Sequence, residues 1–466
     1  MAGQNAVDVR QKRSTPRLTD GIVFETDLGP HLYLANGSRV FAVSSEFAQI
    51  FDGSLAADDA AGLDDLLSRY GLDAPPFVED YPPPKFAPRS LSLAIAQKCN
   101  LGCAYCYAQQ GDFGGPAKNM SEDVALASVE RLIGGVKAGE RVNLAFLGGE
   151  PLVNRALLRQ TTEHAVRRGA ECGVEVGFSI TTNGTLLRPD DAEFFERHGF
   201  AVTVSLDGIG DAHDKLRPYK GGRGSFDRIV AKVRPLLAAQ RRMQVSARVT
   251  VTPSNLDLAE TLDALIGLGF HSVGFSPMLR SPNGQAEMDA GALDEMLEQM
   301  IRCGQAFERA IGNGRRYPFL NMVNALKEIH KGTHRPYPCG AGAGYLGVSA
   351  EGGLFACHRF VDDDAGAMGD IWNGLDGGAR QKWMSERHVH FQEPCARCWA
   401  RYMCGGGCHH EVIERGRPSC DYIRGWLRYC LAAYVKLVDR APAYFGLKSD
   451  DGRPALRTGP VSSAPS

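Results

Sequence analysis

The chain has 466 residues, a formal net charge of −2, 44% hydrophobic and 23% charged residues, and 13 cysteines. At about 100–200 residues per domain, this length predicts roughly two to four structural units. The balanced charge gives no global basic field for nucleic acid or an anionic membrane. The length excludes a small disulfide scaffold, and an odd number of thiols fits complete pairing poorly.

Residues 1–16 are polar and lack the apolar core of an export signal, and we expect them to be disordered. No apolar run reaches the roughly 18 residues that a membrane-spanning helix needs. We therefore predict a cytoplasmic protein that binds no membrane. Thiols stay reduced in the cytoplasm, where clustered cysteines indicate metal binding.

Residues 17–80 are predicted to form a small α+β unit. It contains three predicted strands and two predicted helices, at residues 22–24, 31–34, 39–43, 44–51 and 63–70. A stiff, proline-rich linker is predicted at 81–87.

Residues 88–280 alternate short apolar strands with amphipathic helices. Six strands are predicted, at residues 91–96, 143–147, 175–181, 201–206, 244–251 and 271–276. Repeated strand–helix units form a parallel sheet, and six of them make an open, partial version of the eight-unit barrel. Functional residues in such folds collect in the loops that follow the strands.

The last third of the chain changes in character. Residues 281–335 are predicted to form a helical bridge, and residues 336–448 are rich in Gly and Cys with weak periodicity. A segment of this composition needs an internal staple, such as metal, in order to fold. Residues 449–466 are rich in Gly, Pro and Ser and are expected to be disordered.

The first cysteine group directly follows the first of the six strands. Cys99, Cys103 and Cys106 fall within eight residues of each other. Thiolates hold iron–sulfur clusters, and three ligands on a four-iron cluster leave one iron open for chemistry. The alternatives are three buried apolar cysteines or a zinc knuckle, which needs a fourth ligand nearby. The next cysteine is Cys172.

The spacing Cys-x3-Cys-x2-Cys, with Tyr105 before the last cysteine, resembles the radical SAM superfamily. The resemblance implies a 4Fe–4S cluster on Cys99, Cys103 and Cys106. In this family the fourth iron is chelated by the amino and carboxylate groups of S-adenosylmethionine (SAM).

Three later segments resemble family segments that line the SAM pocket. They follow the second, third and fourth strands and read Gly148-Gly149-Glu150-Pro151, Thr182-Asn183-Gly184-Thr185 and Ser205-Leu206-Asp207-Gly208. A fourth such segment is His213-Asp214-x-x-Arg217. The resemblance implies that seven residues contact the cofactor: Gly148, Gly149, Glu150, Asn183, Ser205, Asp207 and Arg217. Glycines let the backbone approach the methionyl amine, a carboxylate can accept from that amine, and a guanidinium can pair with a carboxylate. The alternative is that these are ordinary polar loop residues.

Seven further thiols lie in the glycine-rich region, at Cys339, Cys357, Cys395, Cys398, Cys404, Cys408 and Cys420. This region has one Cys-x2-Cys pair, and seven ligands do not divide into zinc sites of four. The pattern resembles the SPASM extension of radical SAM enzymes. That resemblance implies two auxiliary 4Fe–4S clusters, and therefore three 4Fe–4S clusters in the protein.

The same resemblance divides the seven thiols between the two auxiliary clusters. A distal cluster takes Cys395, Cys398, Cys404 and Cys420, and a proximal cluster takes Cys339, Cys357 and Cys408. The proximal cluster is then one ligand short. Either Cys303 or Cys430 completes it, or an iron stays open for a substrate thiolate. Cys430 also competes with Cys420 for the distal cluster.

The remaining metal-binding side chains are expected to be structural. Cys172 is assigned to a helix-to-strand connection. His409 and His410, beside Cys408, are more often core histidines than metal ligands.

The order of elements in residues 17–80 resembles winged-helix modules that bind leader segments of ribosomally made peptides by strand addition. The alternative is a structural cap on the barrel. The predicted fold class is therefore α/β: a partial (βα)6 radical SAM barrel with a small N-terminal α+β winged-helix-like domain and a C-terminal Cys-rich SPASM domain.

The combination of motifs resembles the radical SAM/SPASM peptide maturases, in which a 5′-deoxyadenosyl radical takes hydrogen from a substrate carbon. Residues 109–115 resemble the maturases that act on the small subunit of quinohemoprotein amine dehydrogenase. Those enzymes form thioether bonds between a Cys sulfur and an Asp or Glu methylene carbon. The implied partners are a peptide or small-protein substrate and an electron donor such as flavodoxin or ferredoxin.

Three other functions remain open at this point. Two are enzymes: a sulfatase-maturing enzyme that forms formylglycine, and another SPASM peptide maturase. The third is a non-catalytic iron–sulfur or zinc scaffold. No residue pattern in the sequence assigns a general base.

Overall fold

The computed structural model describes residues 20–72, 87–332 and 334–447. The segments predicted as a disordered N-terminus (1–16) and a disordered tail (449–466) lie outside the described residues, as does the predicted linker apart from its last residue. The predicted unit boundaries at residues 80, 87, 280 and 335 stay predictions.

The described residues contain strands at β1 (Gly21–Thr26), β2 (Gly29–Leu34), β3 (Arg39–Ala42), β4 (Ser90–Gln97), β5 (Lys118–Asn119), β6 (Arg141–Gly148), β7 (Glu175–Thr182), β8 (Ala201–Ser205), β9 (Gln244–Val251), β10 (Ser272–Pro277), β11 (Tyr345–Val348), β12 (Gly353–Phe355), β13 (Ala367–Asp370) and β14 (Gly374–Leu375).

Helices occur at α1 (Ser45–Ala57), α2 (Ala60–Arg69), α3 (Glu122–Gly134), α4 (Arg155–Cys172), α5 (Pro189–His198), α6 (Asp211–Leu216), α7 (Phe226–Ala239), α8 (Leu258–Gly267), α9 (Ala290–Gly312), α10 (Leu320–Lys331), α11 (Gly377–Arg387), α12 (Arg401–Cys404), α13 (His409–Arg415) and α14 (Cys420–Arg440).

The barrel sheet has the strand order β10-β9-β8-β7-β6-β4, and every neighbouring pair is parallel. Each strand therefore lies beside the next one along the chain, with a helix packed over each crossover, as strand–helix repeats predict. All six predicted barrel strands are present.

Alternation along these strands separates an apolar face from a polar one. In β9, Val245, Ala247, Val249 and Val251 are buried, whereas Ser246, Arg248 and Thr250 are not. The same pattern gives β8 buried Val202 and Val204 beside half-buried Thr203 and Ser205. The apolar face joins the main core under the helices, and the polar face lines the concave side of the sheet. We call the space on that concave side the lumen.

The cysteine-rich region continues the same sheet. Strand β11 pairs in parallel with β4, and β12, β13 and β14 follow as antiparallel neighbours. The region is thereby attached to the strand that precedes the first cysteine group. Helices α9, α10 and α14 pack together at the other edge of the barrel, close to β10.

The N-terminal strands β1, β2 and β3 form a separate antiparallel sheet. Leu32 and Leu34 pack on one face with Phe47 of α1. On the opposite face, Phe24 and Tyr33 join the main core, where the Tyr33 ring meets Trp399 edge-on at 6.1 Å. The small sheet is therefore built into the body of the protein.

Arg401 fixes this arrangement with hydrogen bonds. Its guanidinium, which is almost fully buried, donates to Asp20 Oδ1 at 2.7 Å and to Asn36 Oδ1 at 2.9 Å. It also donates to the Cys398 carbonyl oxygen at 3.2 Å. One side chain thus ties the N-terminal unit to a segment that carries predicted cluster ligands. In the part of the chain that the structure describes, no helix combines the length and apolar character needed to cross a membrane.

Candidate functional site

The first cysteine group lies in the loop after β4, at the carboxyl end of the barrel. Burial raises the pKa of the Cys99 and Cys106 thiols, and it raises that of Cys103 to about 12. Cys106 adds to the rise of the Cys99 and Cys103 pKa, Cys99 adds to that of Cys103, and Arg217 opposes the rise for all three thiols. The structure therefore brings the three predicted ligands together. Buried thiols of this kind release their protons when a metal binds.

Glycines hold the loop after β6 against the first cysteine loop. Gly149 N–H donates to the Ala96 carbonyl oxygen at 2.8 Å, and Glu150 N–H donates to that of Lys98 at 2.9 Å. A Cβ atom on Gly149 would overlap the Lys98 carbonyl oxygen and lie 2.8 Å from the Gly111 Cα. Only glycine permits this approach of three backbone segments.

The Glu150 carboxylate is fully buried and is used to position other protein groups. It accepts hydrogen bonds from Thr182 Oγ1 and the Asn183 N–H, both at 2.7 Å, and from the Leu152 N–H at 3.1 Å. Burial raises the pKa of Glu150, and these donors oppose that effect. These hydrogen bonds hold Asn183 in place, and its side-chain Nδ2 lies 3.5 Å from the Cys99 sulfur. Asn183 is thus placed beside the first cysteine group, as the sequence predicted.

Asp207 is also fully buried, and it connects three loops. Its Oδ1 accepts from the Thr250 N–H at 2.7 Å, and its Oδ2 accepts from the Tyr105 hydroxyl and from Arg217 Nη1 at 3.3 Å. Arg217 also donates to the Tyr105 hydroxyl at 2.7 Å. His213 Nδ1 accepts from the Asp207 N–H at 3.1 Å, so the ring proton is on Nε2, which faces Ser225 Oγ at 3.0 Å. Burial lowers the pKa of His213 to about 3, which keeps this ring neutral.

Arg217 has one unused hydrogen-bond donor. Its Nε is buried and has no hydrogen-bond partner, and the Cys103 and Cys106 thiols lie within its electrostatic reach. A guanidinium with an unused N–H beside the cysteine group fits an anionic group such as a carboxylate.

Ser205, the last residue of β8, faces the lumen. Glu150 and Asp207 are enclosed by protein donors, so they position the cofactor-facing groups rather than present free oxygens.

Four thiols of the second constellation surround a cavity of about 200 Å³. Cys395, Cys398, Cys404 and Cys420 line it together with Cys408 and the backbone of Gly406 and Gly407. Burial raises the pKa of Cys395 to about 11, and Cys404, Cys420 and Cys398 all raise it further. This is the set of four that the sequence assigns to the distal cluster.

Cys339, Cys357 and Cys408 form a second group, which we call the three-thiol group, and Cys408 also lines the cavity of the other four. Burial raises the pKa of Cys357 to about 12, and Cys408 and Cys339 add to the effect. Arg359 Nη1 lies 3.7 Å from the Cys408 sulfur and donates to Glu411 Oε1 at 2.7 Å. The Arg359 guanidinium also lies 5.4 Å from the centre of the Tyr107 ring. Tyr107 follows Cys106 directly, and both Cys106 and Cys357 raise its pKa. Tyr107 therefore lies near both the first cysteine group and the three-thiol group.

The spare cysteines are placed elsewhere. Cys303 and Cys430 are fully buried, and the Cys430 sulfur lies 3.9 Å from that of Met322 in the helical core. Cys420 begins α14 and Cys430 lies ten residues further on, which is about 15 Å along a helix. The structure thus places Cys420, and not Cys430, beside the cavity. His409 Nδ1 accepts from Arg387 Nε at 3.1 Å, and the His410 ring packs on Phe360.

The arrangement of the cysteine thiols fits iron–sulfur clusters better than single metal ions such as zinc. Among the described residues, no three His, Cys, Asp or Glu side chains are close enough to hold one metal ion. The sulfurs of a tetrahedral zinc site lie within about 3.8 Å of each other, whereas a four-iron cluster holds its thiolates further apart. The cavity is several times the roughly 30 Å³ that one water occupies. Arg417 and Arg424 lie near the four thiols and suit the negative charge of a thiolate-bound cluster.

Comparison with known proteins agrees with this geometry. Residues 93–265 match the family model described as the Radical SAM superfamily. The Serine-type anaerobic sulfatase-maturating enzyme of Klebsiella aerogenes is 25% identical over 347 residues, covering 72% of this chain and 83% of the relative. The radical SAM cyclopropyl synthase TigE of Paramaledivibacter caminithermalis is 22% identical over 390 residues, covering 78% of this chain and 77% of the relative.

A solved structure shares the fold. Native anSMEcpe with bound AdoMet and Cp18Cys peptide superposes with a TM-score of 0.60 at 18% identity, over 76% of this chain and 99% of that chain. The predicted fold class is confirmed. The prediction that the chain is an enzyme is confirmed over the non-catalytic scaffold, because residues 93–265 match the Radical SAM superfamily model.

We predict that Gly149→Ala weakens both the first cluster and SAM binding. The added methyl group must push apart the backbones of Lys98 and Gly111, at a cost of roughly 1–3 kcal/mol. Iron content and SAM affinity, measured on anaerobically reconstituted protein, should both fall. Gly267→Ala is the matched control, because a Cβ there meets nothing within 4 Å. Wild-type iron content and SAM affinity in Gly149→Ala would contradict the packing argument.

A second prediction compares Cys420→Ala with Cys430→Ala. Cys420 lines the cavity with three other thiols, so its loss should lower the iron content by about a third if one of three clusters is lost. Cys430→Ala removes a core sulfur and should cost about 1 kcal/mol of stability while keeping the iron. Iron analysis and thermal unfolding measure the two effects. The reverse pattern would assign the ligand to Cys430.

Proposed function

We propose that this radical SAM enzyme modifies a peptide or small protein by forming thioether bonds. The bond joins a Cys sulfur to an Asp or Glu methylene carbon, and the proposed substrate is the small subunit of quinohemoprotein amine dehydrogenase. The observation that carries the proposal is that Tyr107 lies near both the first cysteine group and the three-thiol group. A substrate in the lumen would then meet both.

The residues for each group follow from the site. Cys99, Cys103 and Cys106 would hold the SAM-binding cluster. Cys395, Cys398, Cys404 and Cys420 would hold the distal cluster, and Cys339, Cys357 and Cys408 the proximal one. With SAM and the clusters bound, one-electron cleavage of SAM to methionine would supply a 5′-deoxyadenosyl radical that removes one substrate hydrogen atom, and the clusters would accept the electron released when the substrate thiol loses its proton and the carbon–sulfur bond forms. A small reduced carrier such as flavodoxin or ferredoxin is the proposed electron donor.

The protein's own part is to position and shield the reacting groups. Asn183 and Arg217 face the first cysteine group and would orient SAM. Arg359 donates toward Cys408 and holds Tyr107 between the two cysteine groups. Cys303 and Cys430 are fully buried, and the Cys430 sulfur packs against that of Met322 in the helical core. This supports an open position for a substrate thiolate over completion by Cys303 or Cys430.

A second candidate function is formylglycine formation. It is supported by the similarity to a Serine-type anaerobic sulfatase-maturating enzyme and by the fold shared with a relative that has a peptide bound. The two candidates give different products from a Cys-containing peptide. A thioether removes two hydrogens and leaves the sulfur in place, whereas formylglycine loses the sulfur.

We further propose that the N-terminal sheet binds part of the peptide at the free edge of β3. Val43 N–H donates to the Pro30 carbonyl oxygen at 3.1 Å, so the N–H of the preceding Ala42 points away from β2. Among the described residues, no other strand pairs with that edge. An extended peptide can therefore add as a fourth strand.

The first test of function is mass spectrometry of the candidate subunit after anaerobic incubation with enzyme, SAM and reductant. We expect a loss of two hydrogens per crosslink and one 5′-deoxyadenosine per bond. Single substitutions Cys99→Ala, Cys103→Ala and Cys106→Ala should reduce SAM cleavage to background, while Cys172→Ala should leave it unchanged. A formylglycine mass would select the second candidate. An absence of SAM cleavage by the reduced wild type would refute both.

The edge of β3 is tested by Ala42→Pro. Proline removes the outward N–H and is tolerated at a sheet edge, so the fold should persist. Affinity for a substrate that includes its leader segment should fall about threefold to tenfold, and affinity for the isolated target segment should not change. Ala42→Val keeps the N–H and serves as control. Equal affinities for all three proteins would place the leader elsewhere. Deleting the whole unit is a poorer test, because Phe24 and Tyr33 belong to the main core.

A further inference from the structure

One charged side chain stands out on the lumen face of the barrel. Along β7, β8 and β9 the residues that alternate with the buried apolar set carry no charge, except for Glu175 at the amino end of β7 and Arg248. The polar ones nearer the carboxyl ends are Ser179, Thr181, Thr203, Ser205, Ser246 and Thr250. Hydroxyl groups and water suit an open polar lumen, so a single guanidinium among them calls for a specific partner.

The surroundings of Arg248 place it between the cysteine groups. It lies opposite Ser205 on β8 and Gly274 on β10, and its guanidinium donates to Ser276 Oγ. The negative charges that act on it are those of Glu411, of Asp207 beside the first cysteine group, and of Cys408 in the three-thiol group, while Arg359 opposes them.

Arg248 is accessible yet enclosed. The side chain is exposed in the sheet, but desolvation by the surrounding protein lowers its pKa. A group on the outer surface would be exposed without such desolvation. Exposure together with desolvation is expected of a side chain that points into a deep cleft. A substrate for SAM-derived chemistry must also lie in such a cleft.

The other lumen arginines are already paired. Arg359 forms an ion pair with Glu411 at 2.7 Å, and Arg217 forms one with Asp207 at 3.3 Å. Within residues 20–72, 87–332 and 334–447, no carboxylate oxygen pairs with Arg248, and its one hydrogen bond goes to a neutral hydroxyl. A desolvated, unpaired cation is costly, and a bound anion removes that cost.

We propose that Arg248 binds the side-chain carboxylate of an acidic residue in the peptide substrate. The carboxylate would place the adjacent methylene carbon between the first cysteine group and the three-thiol group. The inference rests on the proposed function, and it names Arg248 as the residue that makes the enzyme select Asp or Glu over Asn or Gln. A guanidinium suits this role because it meets both carboxylate oxygens at once.

The test uses the reconstituted holoenzyme with SAM and without reductant. The affinities of two capped amino acids are compared by saturation-transfer NMR titration. They are N-acetyl-aspartate N-methylamide and the corresponding asparagine compound, whose backbones carry no charge. We expect wild type to bind the aspartate probe about ten- to a hundredfold more tightly. Arg248→Gln should bind both probes equally, and Arg248→Lys should keep part of the preference. Arg234→Gln, on the exposed side of α7, is the matched control and should behave as wild type.

Three outcomes would overturn the inference: no preference in wild type, an unchanged preference in Arg248→Gln, or loss of SAM affinity in Arg248→Gln. The last would assign the guanidinium to the methionyl carboxylate of SAM. Because the probes test binding without turnover, their result is independent of whether thioether formation occurs. Iron content measured on each variant shows that the site itself is intact.

Discussion

Buried ionisable groups need partners, and this requirement organises the carboxyl ends of the barrel strands. Glu150 takes donors from the end of β7 and from its own turn, so the loops after β6 and β7 keep a fixed relation. Asp207, in the loop after β8, accepts hydrogen bonds from the end of β9 and from the first cysteine loop, so these three segments also keep a fixed relation. The cysteine loop is consequently held by both carboxylates. Neither needs to touch a cofactor to determine where the cofactor sits.

This arrangement explains which parts of the site the sequence could predict. Short apolar segments between amphipathic helices located all six barrel strands, and because parallel strands end at one edge, the motifs after them were expected to meet there. Cys99 and Asn183 do meet. The pattern could not say that Glu150 and Asp207 would be enclosed by protein donors, because those donors come from strands far apart in the sequence. The alternation that exposes Arg248 was readable in β9, but the concave side it faces depends on the curvature of the whole sheet.

Residue spacing also limits what can be said of the second constellation. Cys395, Cys398, Cys404 and Cys408 are all close in sequence, so spacing does not divide them between two clusters, and the division is what the SPASM resemblance implies. Cys420 and Cys430 lie on one helix and look equivalent from a motif, yet the rise of about 1.5 Å per residue separates them by nearly three turns. The N-terminal sheet shows the same limit. Its attachment depends on Arg401, a long-range contact to Asp20 and Asn36 that no local pattern signals.

Charge in the lumen also separates the two candidate functions on physical grounds. Formylglycine formation acts on a neutral Cys or Ser side chain, so it gives no role to an unpaired cation near the reacting carbon. Carbon–sulfur bond formation beside a carboxylate does, since the anion must be taken out of water and held. Arg359 and Arg217 are neutralised by Glu411 and Asp207. Arg248 forms no ion pair among the described residues, although Glu411 and Asp207 attract it from further away. An acidic peptide side chain is a simple group that would pair with it directly.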